Sequence, residues 1–138
     1  MSNETSRVLF DHIDQRVRSA KAATPFYDAF MGALGLRRVT DDDSEEWVGY
    51  AYEEADPLPT PFFGLTPSPG HHPDETRIAF AAASRAEVDR VAAAVRSAGA
   101  QAVEGPEVCE EYEPTYYALF FEDPDGNRFE VCCRHSPS

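Results

Sequence analysis

The sequence predicts an α+β fold: two βαβββ modules form an open, curved mixed sheet around a central cavity, with one helix per module packed on the outside. Three observations predict it. The segment order strand-helix-strand-strand-strand occurs twice along the 138 residues. A shift of 65 places Ser84 on Ser19, and a shift of 64 places Gly99 on Gly35, as expected of an internal repeat. Amphipathic segments would cover one side of the sheets and leave the other side to enclose a ligand.

The first module is expected over about residues 8–66. In its opening strand, 8–17, Ile13 and Val17 share one parity and His12 has the other, so one face belongs to a core. The helix that follows ends near Leu34. It begins either at Ser19, with Pro25 inside it, or at Pro25 behind a Thr24 cap. The remaining segments are strands at 36–40, at 46–52 and around 62–65, with an acidic turn at 41–45.

The second module is expected over about residues 75–134, after a proline-rich linker at about 67–74. Its helix begins with a capping box, in which Ser84 accepts from the backbone and Glu87 reaches back. Gly99 ends this helix. The strands are expected at 75–83, 102–109, 116–122 and 128–134, the last two joined by the turn 123–127.

Charge and cysteine content exclude several classes of protein. Twelve Lys and Arg against 25 Asp and Glu give a net charge of −13, which repels nucleic acid and anionic membranes. Neither a membrane-spanning apolar run nor a basic-then-apolar leader pattern occurs, so the cytoplasm is the expected compartment. Cys109, Cys132 and Cys133 are odd in number and form no C-x-x-C pair, which favours buried free thiols over disulfides or a thiolate zinc site.

With these features the chain resembles the vicinal oxygen chelate superfamily, which covers glyoxalase, bleomycin-resistance and extradiol-dioxygenase proteins. The resemblance extends over roughly residues 8–134 and indicates a single-domain member with two modules. It is most specific in the closing stretch 121–130, FEDPDGNRFE. The other residues that carry it are Phe10-Asp11-His12-Ile13, Pro25-Phe26-Tyr27 leading to Leu34-Gly35, and Ile78-Ala79-Phe80.

The resemblance implies a divalent metal (Zn, Fe, Mn or Ni) held by ligands from the first and last strands of each module. His12 matches the first-strand ligand, and Glu130 matches the last-strand carboxylate, which could also act as a catalytic base. The ligand set is incomplete, because Arg77 stands where a histidine is usual and no ligand occurs near 62–64. A guanidinium cannot ligate a cation.

Strand parity independently places His12, Arg77 and Glu130 on the face opposite the apolar one. If the last hairpin pairs Glu122 with Arg128, then Phe120 lies across from Glu130. The predicted substrate-binding wall therefore consists of Phe10, Arg77, Tyr116 and Phe120 beside His12 and Glu130, with Trp47 or Tyr50 as further neighbours.

Two roles remain open for Arg77. It holds an anionic substrate while His71, His72 or water completes a metal shell, or it replaces the metal and pairs with Glu130. A simple salt bridge to Glu130 or Glu75 is the plainest interpretation of this arginine, and His71 and His72 are expected to be exposed loop residues.

Two functions follow. The favoured one is a metal-dependent lyase, isomerase or dioxygenase acting on a substrate with vicinal oxygens. The alternative is a metal-free, antibiotic-binding protein of the bleomycin-resistance type, in which an acidic, aromatic cleft holds a cationic drug. By analogy with the family, we expect a homodimer that binds a small molecule.

Overall fold

The computed structural model describes residues 9–40 and 46–135, so the predicted acidic turn at 41–45 lies outside the described residues. Ten elements follow one another in the order predicted from the sequence. They are β1 (His12–Val17), α1 (Ala20–Ala33), β2 (Arg37–Arg38), β3 (Val48–Ala51), β4 (Phe62–Pro67), β5 (Arg77–Ala81), α2 (Arg85–Ala98), β6 (Gln101–Val108), β7 (Tyr117–Glu122) and β8 (Arg128–Cys133).

The strands form two four-stranded sheets with matching topology, β1-β4-β3-β2 and β5-β8-β7-β6. In each sheet the first strand of the module runs parallel to the last, and the other pairs are antiparallel. The α+β fold with two βαβββ modules and open, mixed sheets is therefore confirmed. Because β1 and β5 each end the order of their sheet, each leaves one backbone edge without a strand partner among the described residues.

The first helix begins at the earlier of the two predicted positions. Ser19 is its N-cap, and the Ser19 hydroxyl accepts from the Ala22 backbone N–H at 3.1 Å. Pro25 lies inside the helix, where the Thr24 hydroxyl donates to the Ala20 carbonyl at 2.8 Å. The side-chain cap at Ser19 thus decides the start of the helix, and the proline is accommodated in its second turn.

The second helix starts at the predicted cap with one difference. Ser84 accepts from the Glu87 backbone N–H, and Gly99 ends the helix in the left-handed region at φ 104°. The Glu87 carboxylate, however, accepts from the Ala83 backbone N–H at 2.7 Å and not from that of Ser84. The reciprocal half of the predicted capping box has therefore moved by one residue.

The two helices pack on one side of the sheets and share a single aromatic core. Phe30, at its centre, is completely buried and lies within 5.0–5.5 Å, ring centre to ring centre, of Phe80, Phe121 and Phe129. These three rings come from the second module, so α1 of the first module helps to bury the sheet of the second. None of the helices in the described residues is long and apolar enough to cross a membrane.

A buried carboxylate in the β7–β8 turn fastens the two modules together. Asp123 is 1% exposed and accepts from the Tyr27 hydroxyl at 2.5 Å and from the Asn127 amide at 2.8 Å. The same Asn127 amide donates to the Arg16 carbonyl at the end of β1. We call Asp123, Tyr27, Asn127 and Arg16 the inter-module clasp.

The two loop histidines and the three cysteines can be compared with their predicted environments. His71 is half-buried, and its Nε2 lies 2.8 Å from Asn127 Oδ1. His72 is exposed. Sequence reasoning was therefore wrong about His71 and right about His72. The three cysteines are free and buried, as predicted.

Candidate functional site

A groove of about 790 Å³ runs between the unpaired edges of β1 and β5 and continues towards the ends of the two helices. Its volume lies within the range that small-molecule sites occupy. We call it the β1–β5 groove. Its lining is mostly apolar and consists of Leu9, Phe10, His12, Ile13, Leu34, Leu36, Tyr52, Pro61, Phe62, Phe63, Arg77, Ile78, Ala79, Phe80, Ala81, Ala83 and Glu87.

The internal repeat makes two junctions equivalent: the end of β1 with the β7–β8 turn, and the end of β5 with the segment that precedes β4. The groove lies at the second of these junctions. At the end of β1, the Asn127 amide and Asp125 bridge to the Arg16 carbonyl and the Arg18 backbone N–H. Among the described residues, no hydrogen bond of this kind joins the end of β5 to the start of β4. Pro61, which lines the groove there, has no backbone N–H to donate.

His12 lies on the groove wall at the start of β1. Its ring stacks on Phe62 with centres 4.5 Å apart and an angle of 4° between the planes. Nδ1 is 2.7 Å from an oxygen of Asp11, and Nε2 is 3.8 Å from an oxygen of Asp14. The imidazole thus stacks on an aromatic ring and is flanked by Asp11, which precedes β1, and by Asp14 within β1.

Arg77 lies at the start of β5 and borders the groove on one side. Its guanidinium carbon is 5.0 Å from the centre of the Phe120 ring. Among the residues that the structure describes, no carboxylate lies within 4.0 Å of its nitrogens, so the predicted salt bridge to Glu130 or Glu75 is not formed. The reason is positional: the register pairs Arg77 with Arg128, and the neighbour of Glu130 on β5 is Ala79.

Glu130 lies beneath the surface of the second sheet. It is 8% exposed, and the Tyr116 hydroxyl donates to its Oε2 at 2.5 Å. Burial, together with hydrogen bonding to Cys132 and Glu130, raises the pKa of the Tyr116 phenol, which therefore stays protonated and donates at neutral pH. The hairpin register pairs Glu122 with Arg128 and Phe120 with Glu130, as predicted.

A second, smaller hollow of about 380 Å³ lies on the face of the second sheet that carries Phe120, the register partner of Glu130. Arg77 and Phe120 border it with Tyr112 and the acidic side chains of Glu104 and Glu107. Arg77 is thus common to both cavities.

The predicted wall is therefore divided in the structure. Phe10, His12 and Arg77 line the groove, and Phe120 lines the second hollow. Tyr116 and Glu130 line neither cavity. Of the less certain neighbours, Trp47 packs edge-on against Phe62, whereas Tyr50 is completely buried and donates to Asp28.

The side chains do not fit the metal site that the resemblance implies. Among residues 9–40 and 46–135, no group of three or more His, Cys, Asp or Glu side chains is placed to hold a metal ion. His12 lies on the groove, while the Glu130 carboxylate is buried against Tyr116. Since catalytic metals usually take about three protein ligands, these two positions alone do not make such a site.

Several groove residues were missed by sequence reasoning. Leu34, Leu36 and Tyr52 were predicted only as parts of a helix end or of hairpin strands. Ile78 and Phe80 were predicted as core residues, and they do pack against the core, but they also line the groove. Parity indicates which face of a strand a side chain occupies, but it does not reveal that two strand edges stand apart. The exposure of Leu9, Phe10 and Tyr52, at 83%, 64% and 59%, is visible only in the folded chain.

Comparison with known proteins supports the resemblance. The family model for the glyoxalase/bleomycin resistance protein/dioxygenase superfamily matches residues 9–131. A glyoxalase/bleomycin resistance protein from Albidiferax ferrireducens T118 is 26% identical, with a TM-score of 0.74 over 93% of this chain and 100% of that chain.

Two further solved structures share the fold at lower identity. A glyoxalase/dioxygenase from Nostoc punctiforme is 20% identical, with a TM-score of 0.63 over 99% of this chain and 97% of that one. The fosfomycin resistance protein FosX from Mesorhizobium loti is 17% identical, with a TM-score of 0.60 over 93% of each chain. No curated protein matches the sequence. The chain belongs to the glyoxalase/bleomycin resistance protein/dioxygenase superfamily.

Proposed function

We propose that this protein binds a small organic molecule in the β1–β5 groove and that binding needs no metal ion. The observation that carries the proposal is the groove itself, about 790 Å³ in volume and lined mainly by aliphatic and aromatic side chains. Two polar residues at the strand starts, His12 and Arg77, lie on its wall, where polar side chains can orient a ligand in an otherwise apolar site. Such a combination is typical of small-molecule sites.

The metal-dependent lyase, isomerase or dioxygenase reaction receives less support. It would require His12 and Glu130 to share one ion, but the groove contains the imidazole without the carboxylate. Glu130 instead accepts from Tyr116 in the neighbouring sheet. Ligand binding is therefore the activity that these residues support.

Of the metal-free alternatives, a drug-binding role is in keeping with the superfamily, which includes resistance proteins. A cationic drug, however, would meet the guanidinium of Arg77, which no carboxylate of the described residues neutralises. The net charge of −13 acts mainly at long range, and salt screens it beyond about 8–10 Å. Contact chemistry in the groove therefore disfavours a cationic ligand.

Filling the groove is expected to abolish binding while the fold persists. Ala81 is exposed, lies on the free edge strand β5 and lines the groove. In Ala81→Phe the new ring should exclude at least two methylene groups of a ligand, which corresponds to about 1.6 kcal/mol, or more than tenfold in affinity. Chelator-treated protein should be titrated with a neutral probe, 1-octanol, by calorimetry.

The matched control is Ala93→Phe, which places the same ring on the exposed side of α2, away from the groove. Trp47 is the only tryptophan, and its ring centre lies 5.6 Å from that of the groove residue Phe62, so its fluorescence gives a second readout. Equal affinity in both variants, or binding that appears only after Zn, Mn, Fe or Ni is added, would contradict the proposal.

We further propose that the protein is a cytoplasmic homodimer. The support is the family analogy together with the exposed side chains of Leu9, Phe10 and Tyr52, which form an apolar rim on one side of the groove. Sedimentation equilibrium should then give twice the chain mass of 15.3 kDa. A mass that stays at one chain over the micromolar range would reject the dimer and leave ligand binding untouched.

A further inference from the structure

The groove has a charged end and an apolar interior, and this polarity specifies a class of ligand. We propose that the natural ligand is an anionic amphiphile: a carboxylate, or an acid of similar size, whose head group contacts Arg77 and whose hydrocarbon part lies between β1 and β5. This inference rests on the proposed function, because it names the kind of molecule that the groove binds.

The head-group end is defined by a guanidinium that is available for an anion. Arg77 makes one described side-chain interaction, with the face of Phe120, and that ring leaves the guanidinium N–H groups without an acceptor. Arg128 is the register partner of Arg77 on the neighbouring strand, and the two backbones are about 4.8 Å apart across the sheet. No carboxylate of the described residues lies within 4.0 Å of the nitrogens of either arginine, although Glu122 is the register partner of Arg128 on β7.

Among the described residues, Glu87 is the one carboxylate that lines the groove, and it does not cancel the charge of Arg77. Glu87 lies at the other end, where one of its oxygens accepts from the Ala83 backbone N–H and the other lies 3.5 Å from Arg90. Its charge is therefore already engaged by the helix start and by a neighbouring arginine. An anion at Arg77 meets a guanidinium that forms no ion pair with the described residues, whereas a cation at Glu87 meets an acid that is already engaged.

The interior between these ends suits a hydrocarbon chain. Ile13 contributes from β1, Ile78 and Phe80 from β5, and Leu34 and Leu36 from the end of α1. From Arg77 to Ala81 the strand advances about 13 Å at 3.3 Å per residue, which sets the length available to a tail. Chains that extend further would leave the groove and gain little.

The test is a series of straight-chain probes titrated into the full chain by calorimetry. Hexanoate, octanoate and decanoate all have tails short enough to fit within the groove, so their affinities should rise about two- to fourfold per methylene across the series. At equal chain length, octanoate should bind about five- to tenfold more tightly than 1-octanol, and octylammonium should bind more weakly than both.

Arg77→Gln should remove the advantage of octanoate over 1-octanol without weakening 1-octanol, and Arg77→Lys should restore part of it. The matched control is Arg37→Gln, an exposed arginine on β2 that does not line the groove. Equal binding of octanoate and 1-octanol to the wild type would overturn the anionic ligand and leave groove binding intact. Absence of binding by every probe would overturn both.

Discussion

Replacing Asp123 with alanine is expected to destabilise the protein by about 3–5 kcal/mol, because the substitution leaves buried donors without an acceptor. The carboxylate accepts from the Tyr27 hydroxyl, from the Asn127 side-chain amide and from the backbone N–H groups of Asp125 and Asn127. At 1% exposure, water cannot replace it. Urea unfolding monitored by circular dichroism measures the loss.

The comparison variant is Asp125→Ala, in the same turn. Asp125 is only half-buried and accepts from the backbone N–H of Arg18 at 2.8 Å and from its guanidinium at 3.4 Å. Water can replace much of this contact, so the expected loss is about 1 kcal/mol. If the two variants lose equal stability, the inter-module clasp does not have the importance assigned to it.

The free energy of unfolding is expected to fall steeply above about pH 10. Burial raises the pKa of Tyr27, reinforced by the charge of Asp123, and burial with a hydrogen bond to Asp28 raises the pKa of Tyr50. In the unfolded chain both phenols ionise near pH 10. Above that pH the unfolded state therefore binds fewer protons than the folded state, so stability decreases as pH rises.

The size of this effect follows from proton linkage. Each of the two tyrosines contributes about 1.4 kcal/mol per pH unit once the unfolded phenols are ionised, and together they contribute about 3. Urea titrations between pH 8 and 11 measure the slope. Tyr27→Phe should reduce it by about 1.4 kcal/mol per pH unit, whereas Tyr52→Phe, at an exposed position, is the control. An unchanged slope in Tyr27→Phe would disprove the assignment.

Much of the fold could be predicted from local physics. The Ser84 cap, the left-handed Gly99 and the 123–127 turn each depend on a few neighbouring residues, and all three occur as predicted. The hairpin register that pairs Glu122 with Arg128 also placed Phe120 opposite Glu130, as the structure confirms. These features are fixed by spacing along the chain, which a single sequence displays.

The site was less predictable because it depends on how the modules meet. Sequence patterns placed His12 and Glu130 on the polar faces of their strands, but could not show that β1 and β5 stand apart. At one junction the Asn127 side-chain amide donates to the end of β1, whereas Pro61, at the equivalent position of the repeat, has no such amide and lines the groove. Likewise, the number of charged residues in the sequence does not show that Arg77 and Arg128 are register partners on neighbouring strands.

The proposed anion site is compatible with the acidic composition of the chain. The net charge of −13 is spread over the whole molecule, whereas the proposed head-group contact is with Arg77, a single residue of the groove lining. Short-range hydrogen bonding to an arginine is less screened than repulsion across the surface. Local arrangement, and not total charge, therefore decides which ligand the groove accepts.

The most direct test of the account uses the two isoleucines of the chain. Ile13 on β1 and Ile78 on β5 are the only isoleucines in the sequence, and both line the groove. Protein labelled at isoleucine δ1 and methionine ε methyl groups should be titrated with octanoate and followed by NMR. The core methyl of Met31, which is completely buried, is the internal reference. We predict shifts and ligand contacts for both isoleucine methyls and none for Met31. Saturable binding that moves neither isoleucine, or only one, would contradict a ligand held between the two strand edges.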